Sequence, residues 1–209
     1  MSLSIVGQSM SAGYKRNTPA FSDVTICVRS PGLRILHGPN GSGKSTLMEV
    51  IAGFLPLIAG TIAVSGEVTY IRHSPALVPF LTVRDNCTLY LRRYGFSPDS
   101  ADRFIDGLGL QPHLDKLPSE LSTGTLRKAW IVCGLLTRSG VLCLDEPFNG
   151  LDPGAADYVA AELFHQSAER LVLAVAHQPP EIITLDEHNR FADVCVSNAG
   201  FELRSARVG

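Results

Sequence analysis

Residues 38–45 carry the pattern Gly38-x-x-x-x-Gly43-Lys44-Ser45, and a loop with this spacing can hold phosphate groups. Glycines lack a Cβ, so the backbone N–H groups of such a loop can turn inward around phosphate oxygens. The lysine would neutralise the β- and γ-phosphates, and the serine hydroxyl would bind Mg²⁺. One continuous segment is therefore predicted to hold a nucleoside triphosphate: Gly38, Pro39, Asn40, Gly41, Ser42, Gly43, Lys44, Ser45 and Thr46.

Two acidic residues end an apolar run later in the chain, where Val141–Leu144 is followed by Asp145 and Glu146. A continuous apolar run is typical of a central strand in a parallel sheet that is covered on both faces. Ligands of such sheets bind at the carboxyl ends of the strands. We expect Asp145 to hold Mg²⁺, usually through water, and Glu146 to polarise a water molecule for attack on the γ-phosphate.

Each of these features has a simpler explanation when it stands alone. Residues 38–45 could be a glycine-rich turn before a helix, and the acidic pair could be a turn at the end of a strand. The loop could also belong to a kinase, a GTPase or another kind of ATPase. The acidic pair lies roughly a hundred residues after the loop, and this combination favours nucleotide hydrolysis.

The elements that must position these residues follow from hydrophobic periodicity. Before residue 141, strands are predicted at 3–10, 21–29, 33–37, 61–64 and 67–72, and helices at 47–54, 83–94, 100–108 and 122–138. From residue 141 strands and helices alternate, through segments 141–144, 154–169, 171–176, 181–185 and 192–197. The pattern predicts an α/β fold, a P-loop NTPase core with a mostly parallel sheet, an N-terminal antiparallel β part and an inserted helical lobe. The whole chain, 1–209, would be one domain, with residues 1–81 and 139–209 as the nucleotide-binding core and 82–138 as the lobe.

Further short motifs stand in a fixed order around the loop and the acidic pair. They are Leu121-Ser122-Thr123-Gly124-Thr125 before a helix, Leu151-Asp152 after the acidic pair, His177 after an apolar strand, and Tyr14 ahead of the loop. Together these residues resemble the ABC ATPase family over residues 3 to about 204. A small-molecule kinase would not account for the segment Leu121–Thr125 or for the order of Asp152 and His177.

The resemblance implies a role for each of these residues. Tyr14 would stack on adenine, and His177 would contact the γ-phosphate. Ser122, Thr123 and Gly124 would contact the γ-phosphate held by a second, head-to-tail domain, and Asp152 would lie in the family's D-loop. Simpler roles also fit: Tyr14 could pack at a strand edge, His177 could be a satisfied histidine at a strand end, and Ser122 and Asp152 could be helix N-caps.

Two departures from the family's usual sequence are visible. The signature segment, Leu121–Thr125, has Thr123 and Thr125 where Gly and Gln are usual, and a β-branched residue cannot adopt positive φ cheaply. A weakened half of a heterodimer is therefore an alternative to a homodimer.

The second departure is His73, which stands where the family usually has a Gln that binds Mg²⁺. An imidazole is a poorer ligand for this ion. Three features together resemble the compact exporters of the haem-export type: His73, the segment Ala176-His177-Gln178-Pro179, and the short chain.

Composition limits the remaining classes. The 209 residues carry a net charge of −2, which argues against nucleic-acid binding through bulk charge, and no nucleic-acid partner is expected. No segment approaches the ~20 apolar residues of a membrane span, and no signal peptide is evident. The five cysteines are widely spaced, so we expect reduced thiols and a cytoplasmic protein.

The expected partners are a second ABC ATPase domain and an integral membrane transporter subunit, which would hold the chain peripherally on the inner face of the membrane. A soluble ABC ATPase, for example one in iron–sulfur assembly, is the alternative.

Overall fold

The computed structural model describes residues 3–29, 31–185, 194–197 and 200–208. Six strands of these residues form a sheet in the order β5-β6-β7-β3-β10-β8. They are β3 (Gly32–His37), β5 (Val68–Ile71), β6 (Val141–Asp145), β7 (Leu171–Val175), β8 (Ile183–Leu185) and β10 (Glu202–Val208). The first four sheet positions, β5, β6, β7 and β3, run parallel, whereas β10 is antiparallel to both of its neighbours. The carboxyl ends of β3, β6 and β7 therefore meet at one edge of the sheet.

A second, antiparallel sheet has the order β4-β1-β2-β9 within the described residues. Its strands are β1 (Ser4–Ala12), β2 (Phe21–Val28), β4 (Ala59–Ser65) and β9 (Val194–Ser197). The chain passes from β4 in this sheet to β5 in the other through Gly66, whose φ of 107° suits glycine. The two predicted strands 61–64 and 67–72 are confirmed, and they lie in different sheets.

The helices of the described residues begin and end close to the predicted positions. They are α1 (Lys44–Ile51), α2 (Val83–Tyr94), α3 (Asp102–Gly107), α4 (Thr123–Leu135) and α5 (Pro153–Gln166), with short 3₁₀ turns at Pro98–Ala101, Gln111–His113 and Pro118–Glu120. N-cap side chains start three of the helices: Thr82 accepts from the N–H of Asp85, Ser122 from Thr125, and Asp152 from Ala155. Within the described ranges, none of these helices is long and apolar enough to span a bilayer.

The six-stranded sheet is buried on both faces, and this explains its continuous apolar runs. Leu142 and Leu144 of β6 pack into one cluster with α2 to α5, while Val141 and Cys143 of the same strand pack into another with α1 and β1. Every residue of β6 and β7 is buried. Burial of each large apolar side chain contributes about 1.5–3 kcal/mol to the free energy of folding. This burial stabilises the strands whose carboxyl ends meet at one edge of the sheet. Residues of α2, α3 and α4 share one of these clusters with the sheet.

The sequence prediction is wrong at two places near the C-terminus. The alternation from residue 141 made 181–185 a helix, but residues 183–185 form β8 and pair with β10. Ile182, Ile183 and Leu185 in a short run after Pro180 suit a strand better than a helix of five residues. Strand β10 was not predicted, and residues 192–193 of the predicted strand 192–197 lie outside the described ranges.

Four cysteines of the described residues carry free thiols: Cys27, Cys87, Cys133 and Cys143. The side chain of Cys195 is outside what the structure describes.

Candidate functional site

The loop between β3 and α1 follows a path that depends on its glycines. Gly38, Gly41 and Gly43 have φ values of 155°, 78° and 94°. A Cβ on Gly38 would lie 2.9 Å from the Cα of Phe201, and one on Gly43 would lie 3.0 Å from the carbonyl oxygen of Ala20. The contact at Gly38 is closer than a real Cβ tolerates, whereas the contact at Gly43 is tight and adds to the strain that a φ of 94° would impose on a residue with a side chain. Both positions therefore favour glycine.

Lys44 is the first residue of α1, and its side chain folds back over the loop. The ammonium nitrogen Nζ donates to the carbonyl oxygens of Gly38 at 2.9 Å and Pro39 at 2.7 Å. Burial lowers the pKa of Lys44, and the negative charges of Glu146 and Asp145 oppose that shift. The first turn of α1 continues with Ser45 and Thr46, so a cation, two hydroxyls and the free N–H groups of a helix start converge at one place.

This loop forms one wall of a cavity of about 450 Å³ at the carboxyl ends of β6 and β7. The residues that line it are Ala20, Asn40, Gly41, Gly43, Lys44, Ser45, Thr46, His73, Asp145, Glu146, Val175 and His177. The cavity thus brings together a lysine, serine and threonine hydroxyls, two carboxylates and two imidazoles that are far apart in the sequence. Such a set suits a phosphorylated ligand with a divalent cation.

Asp145 presents a side-chain oxygen that no described residue satisfies. Its side chain is buried, and Oδ2 accepts from the hydroxyl of Tyr70 at 3.4 Å. Oδ1 is buried and has no hydrogen-bond partner among the described residues. The pKa of Tyr70 is raised by burial and by the charge of Asp145, so this hydroxyl stays protonated and donates. A buried carboxylate oxygen without a donor is costly unless a cation or water binds it.

Glu146 has a backbone conformation that is unusual for a residue with a side chain. Its φ is 53°, in the left-handed region. Its N–H donates to the carbonyl of Val175 at 3.1 Å, because β6 and β7 pair in parallel with Asp145 opposite Val175. The carboxylate oxygen Oε1 lies 3.3 Å from Nε2 of His177. The turn therefore directs the carboxylate of Glu146 toward His177, which lies two residues after the end of β7.

Tyr14 lies outside the lining of this cavity. Its side chain is 72% exposed, and its hydroxyl donates to Oε2 of Glu49 on α1 at 2.6 Å. This hydrogen bond, followed by burial, raises the pKa of Tyr14. The ring is thus tethered beside the helix that begins at Lys44, and its faces remain open to solvent.

Of the other predicted binding residues, Gly38, Pro39 and Ser42 belong to the phosphate loop without lining the cavity, and the rest of those outside it lie at the starts of α4 and α5. Ser122 and Thr123 are exposed and Gly124 is half-buried. Among the described non-glycine residues, positive φ occurs at Ser9, Asp23 and Glu146, so Thr123 has ordinary helical backbone and the expected conformational strain is absent. The β-branched side chain is acceptable there because residue 123 is the first residue of a helix.

Asp152 links the starts of α4 and α5. Its Oδ1 accepts from the N–H of Ala155 at 2.9 Å, and its Oδ2 accepts from Nζ of Lys128 at 2.7 Å. The hydrogen bond from Lys128, followed by the one from Ala155, lowers the pKa of Asp152. The N-cap role considered for this residue is therefore present.

The sequence pattern did not reveal the contribution of Arg127 on α4. The guanidinium is buried, and it donates to the backbone carbonyl oxygens of His73, Asp145 and Glu146. Arg127 and Lys128 are the two charged residues of the otherwise apolar stretch Leu126–Leu136. A cation in such a stretch was the available signal, because a buried arginine needs several acceptors.

Comparison with known proteins identifies the family to which this site belongs. A family model described as ABC transporter matches residues 21–149. The aliphatic sulfonates import ATP-binding protein SsuB 1 of Pseudomonas savastanoi pv. phaseolicola is 34% identical over 175 residues, which cover 79% of this chain and 70% of that protein. The cytochrome c biogenesis ATP-binding export protein CcmA of Chelativorans sp. is 32% identical over 182 residues, which cover 80% of this chain and 89% of that protein. The chain belongs to the ABC transporter family.

A solved structure agrees with this assignment. It is described as the structure of the ATP-binding subunit of an ABC transporter, and it aligns with a TM-score of 0.71 and 27% identity over 83% of this chain and 79% of that one. The resemblance and the α/β fold predicted from the sequence are confirmed. The chain is an ATP-binding and ATP-hydrolysing subunit that serves a membrane transporter.

Proposed function

We propose that the cavity between the phosphate loop and the ends of β6 and β7 is the ATPase site, with Glu146 as the group that polarises the attacking water. The observation that carries this proposal is the contact between Oε1 of Glu146 and Nε2 of His177, at 3.3 Å, in the same cavity as Lys44. The loop and Lys44 would hold the phosphates, and His177 would contact the γ-phosphate. Phosphate release from ATP by the purified full chain, with Mg²⁺ and with excess chelator, tests the proposal, and release that is unaffected by chelation would contradict it.

Mg²⁺ fits the donors present in this cavity. The buried Oδ1 of Asp145 lacks a partner among the described residues, and the hydroxyl of Ser45 lines the same space. In the described parts of the chain no three His, Cys, Asp or Glu side chains cluster as a metal cage. Mg²⁺ in nucleotide sites is commonly held by one or two protein oxygens together with phosphates, so Ser45 and Asp145 suffice. When bound, the ion would neutralise phosphate charge, and His73 would reach it best through water.

The position of the signature segment supports a head-to-tail dimer. Ser122, Thr123 and Gly124 lie outside the cavity of their own chain, at the exposed start of α4. The first N–H groups of a helix have no intrahelical partner, and Ser122 already satisfies that of Thr125. A helix start of this kind binds anions, so we propose that it contacts the γ-phosphate held by a second ATPase domain.

The placement of the chain at the membrane and the type of its membrane partner are also proposals. Two relatives are named as an import and an export ATP-binding protein, so we infer that a separate integral membrane subunit moves the substrate. The chain would then be peripheral on the inner face of the membrane. Residues 82–138, which carry the signature segment, would form the lobe that moves against the core.

Tyr14 supplies a test of the adenine-binding part of the site. Tyr14→Ala should weaken ATP binding about tenfold, because stacking of a base on an aromatic ring is worth about 1–3 kcal/mol. Tyr14→Phe should bind within about twofold of wild type, since it keeps the ring and loses only the hydroxyl bonded to Glu49. Calorimetric titration with ATP–Mg²⁺ measures both variants. Equal affinity in the alanine variant would exclude stacking, and equal losses in both variants would assign the effect to the hydroxyl.

A further inference from the structure

Arg127 is a buried cation of α4 that binds two separate loops at once. Its Nη1 donates to the carbonyl oxygens of Arg72, at 3.2 Å, and of His73. Its Nη2 donates to the carbonyl oxygens of Asp145 at 2.8 Å and Glu146 at 2.5 Å. One guanidinium therefore joins the end of β5 to the end of β6 and ties both to the helix that begins at the signature segment.

Packing alone does not account for a guanidinium at this place. The side chain is 4% exposed, and burial lowers the pKa of Arg127 despite the opposing charges of Asp145 and Glu146. A methionine would fill similar volume without the several kcal/mol that desolvating a charge costs. Only the planar fork of an arginine can reach carbonyls on two sides in fixed directions. The guanidinium is therefore suited to fixing the backbone carbonyl groups of the two loops in their positions.

The backbone that Arg127 holds includes the strained residue of the cavity. A non-glycine residue at φ of 53° is strained and persists only when its surroundings fix it. For Glu146, the fixing contacts are the N–H donated to Val175 on one side and the carbonyl on the other, which accepts from Arg127 and from the N–H of Asn149 at 3.2 Å. Loss of the guanidinium would leave Asn149 as the remaining donor to this carbonyl among the described residues and would loosen the peptide after Glu146.

We propose that Arg127 is a positioning residue for hydrolysis, which fixes the direction of the Glu146 carboxylate and couples it to the position of α4. The loop with His73, the carboxylate of Glu146 and the start of α4 then keep one mutual arrangement, so a shift of the signature helix is transmitted to the water-polarising group. The inference rests on the proposed role of Glu146 in this cavity. It adds a residue that does not line the nucleotide cavity.

The test compares two buried arginines. Arg127→Met should lower kcat about tenfold or more while the Kd for ATP–Mg²⁺ stays within about threefold, because a misplaced catalytic group affects turnover more than phosphate binding. Arg127→Lys should recover part of kcat, since an ammonium can still reach a carbonyl. Arg170→Met is the matched control: Arg170 is 6% exposed, donates to the carbonyl of Thr137 at 2.9 Å, and lies outside the nucleotide cavity. It should lose thermal stability and keep kcat.

A second measurement on the full chain does not depend on turnover. Amide hydrogen exchange in Arg127→Lys should rise in residues 72–75 and 145–149 together, with less change in 38–46, whereas Arg170→Met should leave both segments protected. Wild-type kcat in Arg127→Met, or exchange that rises equally throughout both variants, would overturn the proposal. If Glu146→Gln turned over at the wild-type rate, the assigned function of the cavity would fail instead, so the two failures are distinguishable.

Discussion

Glu146→Gln is expected to bind ATP–Mg²⁺ with nearly wild-type affinity and to lose about 10²–10⁴-fold in turnover. Glutamine has the size of glutamate and the same backbone preferences, so the left-handed turn at residue 146 keeps its hydrogen bond to Val175. The amide cannot accept a proton from water, and it removes the negative charge that lies 3.3 Å from Nε2 of His177. Steady-state phosphate release gives kcat, and calorimetric titration gives the affinity.

The matched control for this substitution is Glu181→Gln, which makes the same chemical change at an exposed residue outside the cavity. It should leave both parameters unchanged. Turnover by Glu146→Gln at the wild-type rate would mean that Glu146 is not the water-polarising group. Loss of ATP affinity in parallel with turnover would instead indicate that the variant disturbs the phosphate loop.

Lys44→Ala is expected to weaken ATP–Mg²⁺ binding about 100-fold, since a charge-assisted hydrogen bond is worth about 1.5–3 kcal/mol and Lys44 can donate more than one. Lys44 is 5% exposed as a residue, and its ammonium is held at the phosphate loop by the carbonyls of Gly38 and Pro39. It is therefore already in place when the phosphates arrive, and little of its binding energy is spent on ordering the side chain. Calorimetric titration with ATP–Mg²⁺ measures the loss.

The control for Lys44→Ala is Lys116→Ala, which removes a lysine that is exposed and lies outside the cavity. Its affinity for ATP–Mg²⁺ should match that of the wild type. A thermal melt of each variant establishes that the chain is folded. Affinity within about threefold of wild type in folded Lys44→Ala would show that the phosphates are held elsewhere.

The fold was predictable where side-chain type alone decides the environment. The runs Val141–Leu144 and Leu171–Ala176 are apolar at every position, so they could lie only in the middle of a covered sheet. Once these strands are adjacent and parallel, Asp145 and the residues before His177 must come together at one edge. The glycines of the phosphate loop indicated its path, because a Cβ at Gly38 would clash with Phe201 and a side chain at Gly43 would be strained by the positive φ.

The parts that were missed depend on backbone partners, which residue types do not reveal. The four acceptors of Arg127 are carbonyl oxygens, and every residue carries one. The strand at 183–185 depends on pairing with β10, a partner that follows it in the chain. Thr123 seemed unfavourable for a close approach by nucleotide, but its position as first residue of α4 gives it ordinary backbone. Local pattern could not supply these tertiary facts.

The most direct test of the account is the mass of Glu146→Gln in solution with ATP–Mg²⁺, measured by size-exclusion chromatography with light scattering. If the cavity of one chain is completed by the signature segment of another, this variant should be a dimer in ATP and a monomer in ADP. Adding Gly124→Asp should return it to a monomer that still binds ATP, because the new carboxylate would face the partner's phosphate. Gly124→Asn is the neutral control, and among the described residues a Cβ at position 124 would have the carbonyl oxygen of Gly150 within 4 Å, at 3.3 Å. A monomer with ATP bound, or a dimer unaffected by Gly124→Asp, would contradict the account.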